Sequence, residues 1–214
     1  MTVPIASPAV PAPSFAHLAR LTDDTGLFEH ARHAIPRRRH GYCTDDVARG
    51  LVVTSREVDP SDTVLRFAEC YLAFSHSCTG RQQRLPQPAV PRPALDRRAR
   101  ARRLVGRALW GLGTAAARSP APWIRVEALT AFTVAASRRS TALRAMTFAG
   151  LGAAEVLRGD PDNTVAGGVA QRSRHAKVCR PITGALARCH TSTNIDRVLL
   201  TRKAAMRGHV PASV

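Results

Sequence analysis

The residues of this chain with the most chemistry to offer lie between positions 23 and 46. Two pairs of adjacent carboxylates, Asp23-Asp24 and Asp45-Asp46, flank His40 and Tyr42, and Arg37-Arg38-Arg39 stands just upstream of them. Carboxylate, imidazole and phenol groups hydrogen-bond polar ligands, and the first two also move protons. As sequence neighbours, Asp45 and Asp46 cannot face each other across one reacting bond, so together they offer one acid–base position. The same residues also have structural uses. Asp45 and Asp46 fall in the first turn of a predicted helix, where carboxylates complement the dipole, and Thr44 is its expected cap. Asp23 and Asp24 precede Gly26 and suit a turn. The arginine triplet reads as a solvated loop run. His30 and His33 stand three apart and His40 follows, but without a strong third ligand in register no metal site is expected, and no cofactor. Five cysteines with no C-x-x-C pair argue against a disulfide framework and a zinc ribbon, leaving reduced, structural thiols.

These residues need helices to hold them. Ser14 is placed to cap a short helix from Phe15 to Leu21, and residues 27–35 read as a further helical turn stopped by Pro36. Val47, Leu51, Thr54 and Val58 predict a helix over 44–57. Val64, Ala68 and Leu72 predict another over 62–75. Helices follow over 105–118, over 122–136 with Pro122 in its first turn, and over 141–158 capped by Ser140. Trp110, Trp123, Ala128, Leu129 and Phe132 are assigned to the core. No run alternates with period two. The fold class is therefore all-α, built of antiparallel helix pairs.

Composition narrows the function classes. Hydrophobic residues make up 44%, enough for a core, and aromatics only 5%, thin for a carbohydrate enzyme. No stretch is long and apolar enough to predict a membrane span, and Met1 to Pro13 has no basic residue ahead of its apolar ones, so the expected compartment is the cytoplasm. The net charge is +17, yet +15 of it lies in residues 76–104 and 163–214, which lack apolar periodicity. A nucleic-acid binder gathers its cations on one regular face, and here they fall in patternless segments, so nucleic acid is a disfavoured partner. The expected organisation is a disordered N-terminus at 1–13, a helical segment at 14–76, a basic linker at 77–104, a helical segment at 105–162 and a basic, poorly ordered tail at 163–214 whose pattern dissolves after Gly168.

Two stretches carry a resemblance. Leu21 to Leu51 contains T-G-L-F-E-H-A and H-G-Y-C-T-D-D-V-A-R. Gly106 to Leu157 contains G-R-A-L-W-G-L-G and R-A-M-T-F-A-G-L-G-A-A-E-V-L. Both resemble bacterial proteins related to glycosyltransferases, whose helical region is classed with six-hairpin glycosidases. The resemblance covers about half of the chain at most. It implies an α/α toroid that handles saccharides or glycans, with His40, Tyr42, Asp45, Asp46, Asp23 and Asp24 as candidate sugar contacts. The chain supplies about half of a toroid's hairpins, so the expectation is an incomplete toroid without catalytic activity. The alternatives are a small saccharide-binding module and, less favoured, a basic nucleic-acid-associated protein. A half-toroid also leaves apolar helix faces for a protein partner to cover.

The departure at 77–104 has a specific form. The resemblance implies Phe-His-Asn-Arg where this chain reads Leu85-Pro86-Gln87-Pro88, and Asp-Asp-Cys where it reads Arg102-Arg103-Leu104. The codons TTC-CAC-AAC-CGC, read one base early, give xTT-CCA-CAA-CCG, which is Leu-Pro-Gln-Pro when the preceding base x is C. Likewise GAC-GAC-TGC displaced reads CGA-CGA-CTG, which is Arg-Arg-Leu. A frame-shifted linker accounts for the local excess of arginine with no ligand at all, and the basic tail fits a second shift. The coding sequence across residues 75–110, read in all three forward frames, is expected to encode the Phe-His-Asn-Arg and acidic segments in an alternative frame. Their absence from every frame would sink this reading.

Overall fold

The computed structural model describes residues 13–79, 94–138, 140 and 142–174. Expectations for residues 1–12, 80–93 and 175–214 lie outside the described residues. Seven helices form among those described: α1 (Ala16–Leu21), α2 (Thr44–Thr54), α3 (Asp62–Thr79), α4 (Ala94–Arg118), α5 (Pro122–Ala136), α6 (Leu143–Gly159) and α7 (Thr164–Arg174). Between α1 and α2 lie two short strands, β1 (Ala31–Arg32) and β2 (Ile35–Pro36), and a 3₁₀ turn at Arg38–His40.

The helices after α1 form three consecutive hairpins, α2/α3, α4/α5 and α6/α7. The α2/α3 pair is antiparallel: a Cβ on Gly50 would meet the Tyr71 ring, while Thr44, at the start of α2, reaches Cys78 near the end of α3. Across hairpins the order runs the other way. Asp45 of α2 meets Arg107 of α4, and Ala48 lies against Gly111. Gly106 of α4 lies against Ala145 of α6, and Gly113 against Gly152. Positions rise together on both sides, so α2, α4 and α6 run parallel in one row, with α4 in the middle. The second helices form the backing row, α3 touching α5 and α5 touching α7.

Small residues make this possible. A Cβ on Gly106 would stand 2.1 Å from the Ala145 carbonyl oxygen, one on Gly113 2.3 Å from that of Gly152, and one on Gly152 2.1 Å from that of Leu109. The glycines of α4 and their partners on α6 recur at the same seven-residue interval, two helical turns, which keeps both contacts on one seam. The far end of the row is tied by charge. Glu155 of α6, nearly buried, accepts Arg56, just past α2, at 2.7 Å and Arg118, at the end of α4, at 2.9 Å. Behind the row, Tyr71, Leu51, Leu112, Ile124 and Phe132 are fully buried and fill the space between layers.

The structure corrects several expectations. Residues 27–35 are extended, pairing Ala31 with Pro36 and Arg32 with Ile35, and His33 takes a left-handed backbone at φ 55°. Extension lets Phe28 bridge to Tyr42 and stack on it at 4.9 Å, a tertiary contact that overrides local helical pattern. Cys43, not Thr44, occupies the cap position of α2, and the Thr44 hydroxyl lies 3.5 Å from the Cys78 sulfur. Helix α2 ends at Thr54, leaving Val58 exposed. Ser140 accepts the Ala142 N–H at 3.2 Å, but α6 starts only at Leu143. Trp123 is 56% exposed, because the buried face of α5 is Ile124, Ala128, Ala131, Phe132 and Ala135, one position away; its indole donates to Glu69 at 3.0 Å. Helix α4 begins at Ala94, so residues 94–104 of the expected linker are helical. The tail does not dissolve at Gly168: α7 continues to Arg174 and buries Ala166, Val169, Ala170 and Ser173.

Gly152 and Gly167 provide a matched test of the seam. Gly152→Ala is expected to cost about 1–3 kcal/mol, since its Cβ meets backbone that cannot yield locally. Gly167→Ala, in α7 with nothing within 4 Å of the added atom, is expected to stabilise by about 0.4–1 kcal/mol. Urea unfolding midpoints of the two variants should move in opposite directions.

Candidate functional site

The six candidate residues separate into two clusters and an exposed fringe. The first cluster is built on Asp23. Its Oδ1 accepts the backbone N–H groups of Thr25 at 3.0 Å and Gly26 at 3.1 Å, closing the turn after α1. Its Oδ2 accepts the Tyr42 hydroxyl at 2.7 Å and lies 3.7 Å from the Arg38 guanidinium. Burial opposes its charge, but the Tyr42 hydrogen bond, the two N–H groups and Arg38 outweigh it and hold the carboxyl below the usual carboxylate range. Burial and donation to Asp23 push the Tyr42 phenol up. Tyr42 stacks on Phe28 and meets Phe74 edge-on at 5.9 Å, and Arg38 lies over Phe28 at 5.0 Å. Thr22 and Tyr71 share a 2.5 Å hydroxyl contact that fixes the turn to α3.

The second cluster joins the first turn of α2 to the middle of α4 and the N-terminal half of α6. Asp45 Oδ2 is bound by Arg49, one turn on, and Asp45 Oδ1 by Arg107 Nε at 2.8 Å. Arg49 also holds Asp46 at 2.9 Å. The Arg107 guanidinium sits 3.7 Å from the centre of the Phe148 ring, which stacks in turn on Trp110 at 5.3 Å. Burial works to lower the Arg107 pKa, and Asp45 works to restore it. A ribbon of charge and aromatic surface therefore crosses α2, α4 and α6. Both oxygens of Asp45 are engaged within it, so this carboxylate has structural work already assigned.

The fringe is Asp24 and His40. Asp24 is exposed and accepts the Thr25 hydroxyl at 3.3 Å. His40 is exposed, accepts Arg39 Nε at 3.1 Å and packs edge-on against His30 at 4.6 Å. Desolvation, then His30, Arg39 and Arg37, lower its pKa. Among the described residues no group of three His, Cys, Asp or Glu side chains could hold a metal ion, and no helix is long and apolar enough to cross a membrane. Cys43, Cys70 and Cys78 are free thiols, and burial pushes all three up, Cys70 to about 11. None of them is poised as a thiolate nucleophile.

Sequence reasoning missed Arg49, Arg107, Phe148 and Glu155. Arg49 carried a signal, standing three and four residues after Asp46 and Asp45 on one helix face. Arg107, Phe148 and Glu155 meet their partners only through the tertiary register of the row. No protein-family model, curated protein or solved structure matches the chain.

The Asp23 cluster has a pH signature. A folded-state pKa below the unfolded value of about 3.9 contributes stability that is full above that value and is lost as pH falls through the folded pKa. Asp23→Asn keeps a turn acceptor but not the charge. Its deficit against the parent protein should be about 1–3 kcal/mol at pH 7 and should shrink below about pH 4. Urea titrations at pH 7 and at low pH measure the difference; a deficit independent of pH would contradict the assignment.

Proposed function

We propose that the chain is a non-catalytic relative of the carbohydrate-handling α/α-toroid proteins, an incomplete toroid of three hairpins that retains contact with a saccharide or glycan. The observation that carries this reading is the state of Asp45 and Asp46. They stand in the first turn of α2, within an inner row of parallel helices backed by an outer row, on the side where a ring of hairpins would open its cavity. Yet Asp45 is engaged by two guanidiniums and Asp46 by one of them. Neither is left as a general acid or base, and being adjacent they offer no second carboxylate across a glycosidic bond. The free thiols support a cytoplasmic setting.

The saccharide-binding module is the second reading, favoured by the fringe. Asp24 and His40 lie open to solvent beside a turn rigidified by Asp23, Tyr42 and Phe28, and rigid polar groups next to aromatic surface suit sugar hydroxyls. Exposed Trp123, Val126 and Val134 on α5 support a protein partner over the outer row. The arginines of the helical core weigh against a nucleic-acid role: Arg49, Arg56, Arg107 and Arg118 are spent on carboxylates instead of lining one open face.

Purified protein offered a panel of α- and β-linked oligosaccharides is expected to give no turnover. Weak binding, where it occurs, should fall in Asp24→Ala and His40→Ala. Turnover that disappears in Asp45→Asn or Asp46→Asn would prove the non-catalytic reading wrong.

A further inference from the structure

A cavity of about 540 Å³ opens where the middle of α4 and the N-terminal turns of α6 meet the end of α5 and the last turns of α7. Its volume falls in the range of small-molecule sites. Ala145 and Ala149 on the α6 side bring little bulk to fill it. Leu109, Met146 and Val169 complete an apolar wall, and Leu143, 49% exposed, extends that surface onto the rim. Two cations also line it, Arg138 and Arg172, and no acidic side chain does so among the described residues. The Arg172 guanidinium makes one hydrogen bond there, a long one of 3.4 Å to the Ala136 carbonyl. A guanidinium carries five donors in a planar fork that matches a carboxylate bidentately.

We propose that this cavity binds a carboxylate with an unbranched apolar body, of medium-chain fatty-acid type, the tail lying against Leu109, Met146, Ala149 and Val169 and the carboxylate meeting Arg172. The chemistry selects against the other candidates. A saccharide would find few hydroxyl partners on this wall, and burying its hydroxyls unpaired is costly. A cationic amphiphile would meet two like charges. Met146 has the unbranched, adaptable side chain suited to chains of different length. The site is separate from the Asp23 and Asp45 clusters, so the proposal stands whether or not the saccharide reading holds.

Isothermal titration calorimetry with decanoate, decanol and decylammonium, each below its micelle concentration, tests it. Decanoate is expected to bind saturably at one site, decanol about tenfold or more weaker, and decylammonium not at all. Arg172→Gln should weaken decanoate about tenfold and leave decanol unchanged. Ala149→Phe, which fills the cavity, should abolish binding of both, with circular dichroism reporting whether the helices persist. If that variant fails to fold, Arg172→Gln, at an exposed position, still decides the matter. Equal binding of decanoate and decylammonium, decanoate binding unaffected by Arg172→Gln, or no decanoate binding to folded protein would overturn the proposal. So would a dimer in sedimentation that seats a second copy in the cavity and excludes decanoate.

Discussion

Everything else in the structure depends on how closely α4 approaches α6. At Gly106, Gly113 and Gly152 the two backbones touch with no side chain between them. Interiors are packed at crystal-like density, so such a contact has little slack. It sets the direction of α6 relative to α4 and their axial register together. A slip of one residue would set Val105 or Arg107 where Gly106 now sits, and Leu112 or Thr114 where Gly113 does. With α4 also held against Ala48 of α2 through Gly111, three helices from three hairpins are locked parallel. The ion pairs at either end follow from that register. Arg107 can reach Asp45, and Arg118 and Arg56 can converge on Glu155, only because the row is aligned. The charges do not create the arrangement. Partly buried pairs cost desolvation that their attraction roughly offsets, but they penalise any alternative that would leave one of them unpaired.

The same register determines what the polar residues can do. Side chains that read as candidate ligand contacts in sequence become the stitching between helices. Asp45 and Asp46 anchor the ribbon that runs through Arg49 and Arg107 to Phe148 and Trp110. Asp23 closes a turn and holds the Tyr42 phenol against the α3 face. Electrostatics and packing thus use the carboxylates twice over, and what remains accessible is the fringe of Asp24 and His40.

Much of the helical framework was legible because strong apolar periodicity is local. Ala128, Phe132 and Ala135 mark the buried stripe of α5, and its bounds match the predicted 122–136. Val64, Ala68, Tyr71 and Leu72 did the same for α3. Where the stripe is made of Ala and Ser, as in α7 with Ala166, Ala170 and Ser173, hydropathy barely rises and the helix was lost among basic neighbours. The extended 27–35 segment was misread because Phe28 is satisfied by Tyr42, fourteen positions away, and no local pattern reports that. The site was half legible. Residue types and loop placement named Asp23, Tyr42, Asp45 and Asp46, but only the parallel register revealed that Arg107 meets Asp45 and that Phe148 meets Arg107. The glycines were visible in sequence as an Ala/Gly-rich character, yet that they form a seam needed the partner helix.

The direction of the row is the central claim, and proton–proton contacts across the glycine seam test it most directly. In a nuclear Overhauser spectrum of the folded protein, the parallel arrangement predicts cross-peaks between the Gly106 and Ala145 α-protons and between those of Gly113 and Gly152. Cross-peaks joining Gly106 to Gly152 and Gly113 to Ala145 instead would mean an antiparallel pair, and the account of both the row and its ion pairs would fall with it.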